Sequence, residues 1–128
     1  MHRPLAAAVL GAALLLAGCT DDKPAASRPS PDDASRRGCN AMAYQLTREK
    51  PLFWAGNTGG AFVRAAGSTD TDVRAAAREL IEAAEEAGEF YVTSHGEADM
   101  TQAEARIAAA QQKMMTACRE LLGEPPWS

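Results

Sequence analysis

Residues 71–95 read TDVRAAARELIEAAEEAGEFYVTSH, and this stretch decides the fold class. Its apolar side chains recur at helical spacing and share one face of a helix, while charged side chains occupy the opposite face. Asp70 precedes the stretch as a candidate N-cap, and Asp72 adds an acid to the first turn. The pattern predicts a long amphipathic helix. Its apolar face is formed by Val73, Ala76, Ala77, Leu80, Ala84, Ala87 and Tyr91.

The end of this helix has two candidate positions, Gly88 and Gly96. A helix that stopped at Gly88 would crowd three glutamates into the negative end of the helix dipole, which is unfavourable. A helix that continues places those acids in its middle, puts His95 in its last turn and uses Gly96 as its terminating residue. We therefore expect the longer helix, over 71–95.

Shorter helices are predicted on the N-terminal side of this stretch. Apolar side chains recur at helical spacing from residue 38, at Cys39, Met42, Ala43 and Leu46, and this helix must stop before Pro51. Glycines then accumulate, and each costs about 1 kcal/mol in a helix relative to alanine. We expect a loop or broken turn over 51–59 and a short helix over 60–66, which ends at Gly67.

The last predicted helix begins near Thr101, because Thr101-Gln-Ala-Glu104 matches a capping box. It ends at Gly123, which two prolines follow closely. No segment alternates apolar and polar residues over a strand length, so the chain is predicted to be all-α, a small three- or four-helix antiparallel bundle. The expected core members are Leu46, Phe62, Val63, Val73, Leu80, Tyr91, Ile107, Met114 and Leu121.

The N-terminus has the parts of an export signal. Met1-His2-Arg3 is a short basic start, and residues 5–16 form an apolar run. As a helix this run rises only ~18 Å, against a hydrocarbon core of ~30 Å. It is too short for a comfortable permanent span and has the length of a signal-peptide h-region.

Leu16-Ala17-Gly18-Cys19 follows this run directly and resembles the lipobox of bacterial lipoproteins. The resemblance covers residues 1–19 alone; no family is recognised for the rest of the chain. It implies a diacylglycerol on the sulfur of Cys19, cleavage before that residue, and a lipid-anchored protein on the extracytoplasmic side of a bacterial cell membrane. Two or three acyl chains, such as palmitate, give stable anchoring. The alternative is an ordinary signal peptide that is cut nearby, with Cys19 incidental.

The segment 20–37 contains no large apolar side chain. It cannot bury enough surface to offset its chain entropy, so we expect a disordered tether. The chain is therefore divided into a signal peptide (1–18), a lipidated cysteine with its tether (19–37), a helical domain (38–123) and a C-terminal tail (124–128).

Two cysteines, Cys39 and Cys118, remain once Cys19 is lipidated. Both lie on predicted apolar faces, and an even pair in an oxidising compartment is most simply a disulfide. Such a bridge would close a loop of about 80 residues, for which the chain-entropy model gives roughly 4–5 kcal/mol. The alternative is free, redox-active thiols, which the spacing disfavours because it is far from Cys-x-x-Cys.

The sequence shows no set of residues with the types and spacing of a known catalytic site, so we predict no enzyme activity. His95 with nearby Glu97 and Asp99 falls below the ligand requirement of a zinc site, and we expect a capping or packed histidine. Ser94 and His95 are adjacent on a predicted helix and point about 100° apart, so they do not form a nucleophile–base pair. Gly56-Asn-Thr-Gly-Gly60 lacks the lysine and spacing of a phosphate-binding loop.

The methionine thioethers are the remaining candidate metal ligands, and they would select cuprous ion. Core packing explains them better, so no metal and no cofactor is predicted. The methionines in question are Met42, Met100, Met114 and Met115.

Phe53 and Trp54 are the candidate interaction residues, since a tryptophan beside a glycine-rich loop is a plausible anchor. The alternative is that Trp54 plugs one end of the bundle.

Length and charge narrow the function. The 128 residues allow one small domain, and the formal net charge of −4 argues against a nucleic-acid partner. We expect a non-enzymatic, membrane-anchored envelope lipoprotein that acts as an interaction, adaptor or accessory module with a protein partner. The alternatives are an extracytoplasmic small-ligand or metal-binding protein, and a small hydrolase.

Overall fold

The computed structural model describes residues 30–48 and 56–127 of the 128-residue chain. This part of the chain is all-helical, with no strand, and confirms the predicted small helical bundle. In chain order its helices are α1 (Asp33–Leu46), α2 (Gly60–Ala65), α3 (Thr71–Thr93) and α4 (Thr101–Leu122).

Helices α3 and α4 form an antiparallel hairpin, and two ion pairs between them show its register. Arg106 pairs with Glu86, and the Lys113 ammonium lies 2.5 Å from a carboxylate oxygen of Glu79. Seven residues backward along α3 correspond to seven residues forward along α4, which is the signature of antiparallel neighbours. All four side chains are about half exposed or more, so these pairs mark the register and contribute little stability.

Helix α3 runs through Gly88 and ends at Thr93, two residues before the predicted end. Gly96 terminates it as expected: its φ is +76°, and its backbone N–H donates to the carbonyl of Tyr91 at 2.9 Å. His95 lies in this turn with φ +54°, and not in the last helical turn. The continuation past Gly88 confirms the argument from the helix dipole.

Helix α1 begins five residues before the predicted start of the domain. Asp32 is its N-cap, and an oxygen of its side chain accepts a hydrogen bond from the Ser35 backbone N–H at 2.8 Å. One turn further on, Arg37 pairs with Asp33 at 2.7 Å. Residues 33–37 were expected to end the tether because they lack large apolar side chains. They are helical because the Asp32 cap and the close packing of small side chains stabilise this turn in place of buried large apolar side chains. Residues 1–29 lie outside the described part.

The contact between α1 and α2 depends on Gly38. A Cβ atom at this position would lie 2.4 Å from the Ala65 Cβ and 3.2 Å from the Met114 Cε, so only glycine fits without a shift. The backbones of α1 and α2 therefore approach closely where α4 also packs. The predicted short helix over 60–66 is confirmed as α2, with its C-cap at Ala66.

The core lies between the four helices and combines a few large side chains with many alanines. Among the expected core members Leu46, Val63 and Tyr91 are wrong, because they are 42%, 56% and 41% exposed. Leu46 is the last residue of α1, Val63 points outward from a helix of six residues, and Tyr91 lies near the far end of α3. The largest fully buried apolar side chains are Phe62, Met42, Leu80, Ile107, Met114 and Val73.

The ends of α4 differ in how well the sequence predicts them. The predicted start near Thr101 is confirmed, but the capping box is wrong: Met100 occupies the N-cap position, and Asp99 accepts hydrogen bonds from the Thr101 N–H and hydroxyl at 2.9 and 2.6 Å. The predicted end at Gly123 is confirmed, with φ +80°. Beyond it, Trp127 packs against the core and donates from Nε1 to the Gly123 carbonyl at 2.8 Å.

None of the helices α1 to α4 combines the length and the hydropathy that crossing a bilayer requires.

Candidate functional site

The predicted lipidation and interaction residues, Cys19, Phe53 and Trp54, lie outside the described residues. The predicted pair Cys39 and Cys118 is a disulfide, with an S–S distance of 2.04 Å and Cα atoms 5.6 Å apart. It joins α1 to α4, and both residues are fully buried. Its sulfurs therefore form a closed structural bridge, which confirms the bridge over the free-thiol alternative.

A polar cluster, here called the base, fixes the point at which the chain enters the fold. The base consists of Asp32, Ser35, Ser68 and Thr69. The two serine hydroxyls lie 2.5 Å apart and both residues are fully buried. Asp32 accepts from the Ser68 hydroxyl at 3.2 Å and from the backbone N–H and hydroxyl of Thr69 at 2.9 and 3.2 Å. The sequence signal for this cluster is weak, because serines in loops are common.

The electrostatics of the base favour the charged form of Asp32. Desolvation alone would raise the pKa of its carboxyl, but hydrogen bonds from Ser35 and Thr69 outweigh this and hold the pKa well below its usual range. Asp32 is therefore an anionic clamp between α1 and the segment before α3.

A second buried polar contact joins the segment before α2 to α4. Gln111 and Asn57 are both buried, and the Gln111 Nε2 donates to the Asn57 Oδ1 at 3.2 Å. A buried amide requires a hydrogen-bond partner, and Asn57 supplies one for Gln111. Asn57 belongs to the glycine-rich stretch that lacked phosphate-loop features, and its part in the core was not predicted.

The residues considered for hydrolysis are engaged in the turn after α3. The Ser94 hydroxyl donates to the Tyr91 carbonyl at 3.1 Å and accepts from the Ala98 N–H at 3.3 Å. His95 is exposed. This arrangement explains Ser94 as a turn residue.

Candidate metal ligands do not gather in the part of the chain that the structure describes. Within 30–48 and 56–127, no three His, Cys, Asp or Glu side chains are placed to share an ion. Met42, Met114 and Met115 are buried among apolar side chains, and Met100 is partly buried against the same core. Their contacts are those of packing residues.

The far end of the α3–α4 hairpin is a surface that the sequence analysis missed. Phe90, Tyr91 and Val92 are consecutive and exposed by 48%, 41% and 68%. Periodicity placed Tyr91 in the core because it assumes that a partner helix covers the whole face. The Tyr91 ring instead packs over Gly96, where an added Cβ would lie 3.1 Å from the phenol oxygen.

Phe90 also borders a surface groove of about 310 Å³ between α3 and α4. Ala87 and Ala103 line it together with Asp99 and Arg106. The groove is thus apolar beside the phenyl ring and charged at its margin.

Comparisons of the chain with protein-family models, curated proteins and solved structures find no match. Function is therefore inferred from the residues of this chain alone.

Proposed function

We propose that this protein is a bacterial envelope lipoprotein, anchored in the cell membrane by lipid on Cys19 and facing the extracytoplasmic side. Its role is to bind a protein partner as a non-enzymatic adaptor or accessory module. The observation that carries the proposal is the motif Leu16-Ala17-Gly18-Cys19 directly after an apolar run of h-region length.

The base of the fold is consistent with such an anchor. Asp32, the N-cap of α1, comes thirteen residues after Cys19. A chain of that length spans at most about 45 Å, and about 20 Å on average if it behaves as a flexible coil. An anchor on Cys19 would therefore keep the base near the bilayer while leaving the domain free to reorient.

The interaction role is supported by what the domain displays. The buried side chains of Ser35, Ser68, Asn57 and Gln111 form hydrogen bonds within the fold, while large apolar side chains are exposed at the end of the hairpin. Phe53 and Trp54 remain predicted interaction residues. The groove beside Phe90 is open at the surface and is not an enclosed cavity.

The test is a Cys19→Ala variant that is followed by membrane fractionation and by labelling with a fatty-acid analogue in cells. We expect loss of the label and loss of the membrane-bound mature form. The matched control is Cys39→Ala/Cys118→Ala, which removes the other two cysteines and should keep the label. Membrane-bound, labelled Cys19→Ala protein would overturn the anchor.

The interaction role has its own test, which is crosslinking in cells followed by identification of the bound protein. Replacing Trp54 by alanine should lower recovery of the partner if Trp54 is an anchor. Unchanged recovery would remove Trp54 from the interface, and the absence of any crosslinked protein would contradict the adaptor role.

A further inference from the structure

The end of the α3–α4 hairpin, here called the tip and defined as residues 85–104, exposes apolar surface in several directions. Successive helical positions point about 100° apart, so no single neighbouring helix of a small bundle covers Phe90, Tyr91 and Val92 together. All three are nevertheless exposed by more than two fifths. Three large apolar side chains exposed in succession indicate a contact surface, since isolated ones are ordinary.

The tip is also strongly acidic. It contains six acidic residues and neither lysine nor arginine. Five of the six are exposed, and Glu104 is half-buried. The acidic residues are Glu85, Glu86, Glu89, Glu97, Asp99 and Glu104.

The position of the tip suits a contact far from the anchor. The Thr69 backbone N–H donates to Asp32 at the base, just before α3 begins. Phe90 lies near the other end of α3. At 1.5 Å per residue this separation is about 30 Å. The tip therefore lies at the opposite end of α3 from the base.

We propose that the tip binds a basic segment of a partner protein that also carries apolar side chains, with Phe90 as the main apolar contact. Charge complementarity selects this occupant. Glu86 is already paired with Arg106, but the six carboxylates leave the tip with a net negative charge, which would repel both an anionic lipid surface and a second acidic tip. Lysine or arginine side chains would meet these carboxylates, while an apolar side chain enters the groove beside Phe90. The inference deepens the proposed interaction role and rests on it.

The experiment uses the full-length protein in phosphatidylcholine nanodiscs, with empty nanodiscs as the background. The probes are two short amphipathic peptides of the same leucine pattern, one with lysines and one with glutamates. We expect the lysine peptide to bind, its affinity to fall with salt, and the glutamate peptide not to bind. Comparable binding of both peptides, or of neither, would overturn the proposal.

Two variants distinguish peptide binding at a defined site from non-specific electrostatic attraction. Phe90→Ala should weaken the lysine peptide about tenfold or more, as expected for an interface anchor. Val63→Ala is the control, because Val63 is 56% exposed and lies on α2, outside the tip. It should leave the affinity within about twofold. Equal losses in the two variants would mean non-specific binding and would contradict the proposal.

A photocrosslinking group on the lysine peptide keeps the test decisive if Phe90→Ala folds poorly. In the wild-type protein, crosslinks should map to residues 85–104. Crosslinks elsewhere would overturn the proposed site. Acylation of the nanodisc-bound protein is measured separately by mass spectrometry of Cys19, so a failure of the acylated protein to bind the peptide is distinguishable from failure of the Cys19 anchor.

Discussion

The Asp32 carboxylate accepts a hydrogen bond from the Thr69 backbone N–H at 2.9 Å, across 37 residues of sequence. One side chain thereby caps α1 and holds the segment that leads into α3. Asp32 consequently ties the start of α1 to the segment before α3.

Replacing Asp32 by alanine should lower the free energy of unfolding by about 1–2 kcal/mol, because a helix cap is lost together with a contact between α1 and Thr69. Urea denaturation measures this change. Asp33→Ala is the control: it removes an exposed ion pair with Arg37 and an acid of the first helical turn, each worth only a few tenths of a kcal/mol at an exposed site, so its cost should stay clearly below that of Asp32→Ala. Equal effects of the two substitutions would contradict the role of Asp32.

The same carboxylate predicts a pH dependence. The pKa of Asp32 is held below the ordinary aspartate value of 3.8, so its charged form stabilises the fold above that pH and this stabilisation is lost as the pH falls further. The stability difference between the wild-type protein and Asp32→Asn should therefore be constant from pH 7 to about 5 and shrink below about 4. A difference that does not change between pH 7 and pH 2 would refute this assignment.

The close approach at Gly38 predicts a compensating pair of substitutions. Gly38→Ala places a methyl group 2.4 Å from the Ala65 Cβ and should destabilise the domain by about 1–3 kcal/mol. Adding Ala65→Gly removes the clashing atom and should recover most of that loss. Gly60→Ala is the control, since an added Cβ there meets nothing within 4 Å. Thermal melts are compared for the wild-type protein, the single variants Gly38→Ala, Ala65→Gly and Gly60→Ala, and the double variant. Additive losses in the double variant would contradict the contact.

The buried amide pair should show energetic coupling. Gln111→Leu leaves the Asn57 Oδ1 without its Gln111 donor and should cost about 1–3 kcal/mol in the free energy of unfolding. A double-mutant cycle with Asn57→Leu should give a total cost smaller than the two single costs combined, because both polar groups are then gone. Strict additivity would show that the hydrogen bond carries no coupling.

The disulfide should account for a large share of stability. Cys39 and Cys118 are 79 residues apart, and the chain-entropy model assigns roughly 4–5 kcal/mol to a loop of that length. Thermal unfolding with and without a reductant measures the contribution. A free-thiol titration of the unfolded, unreduced protein should find neither cysteine reactive. Two reactive thiols would contradict the bridge.

Much of the fold follows from periodicity and capping chemistry. The long α3 was predictable because its glutamates are unfavourable at a helix C-terminus, and the disulfide because two cysteines remain on apolar faces. The early start of α1 was missed because Ser35 is buried by hydrogen bonding to Ser68, whereas hydrophobic patterning scores only apolar burial.

The surface was harder to predict than the core. Periodicity assigns Val63 and Tyr91 to a buried face, but whether a face is covered depends on where the neighbouring helices end. Helix α1 has 14 residues against 23 in α3, so α1 cannot accompany α3 along its full length. The exposed tip is a consequence of this mismatch in length, which appears only when the helices are assembled.

The most direct test of the account is mass spectrometry of the mature protein from cells, with sequencing of its N-terminal peptide. We predict that the mature chain begins at Cys19 and that this residue carries the mass of a diacylglycerol group. A mature chain that begins elsewhere, or an unmodified Cys19, would contradict it.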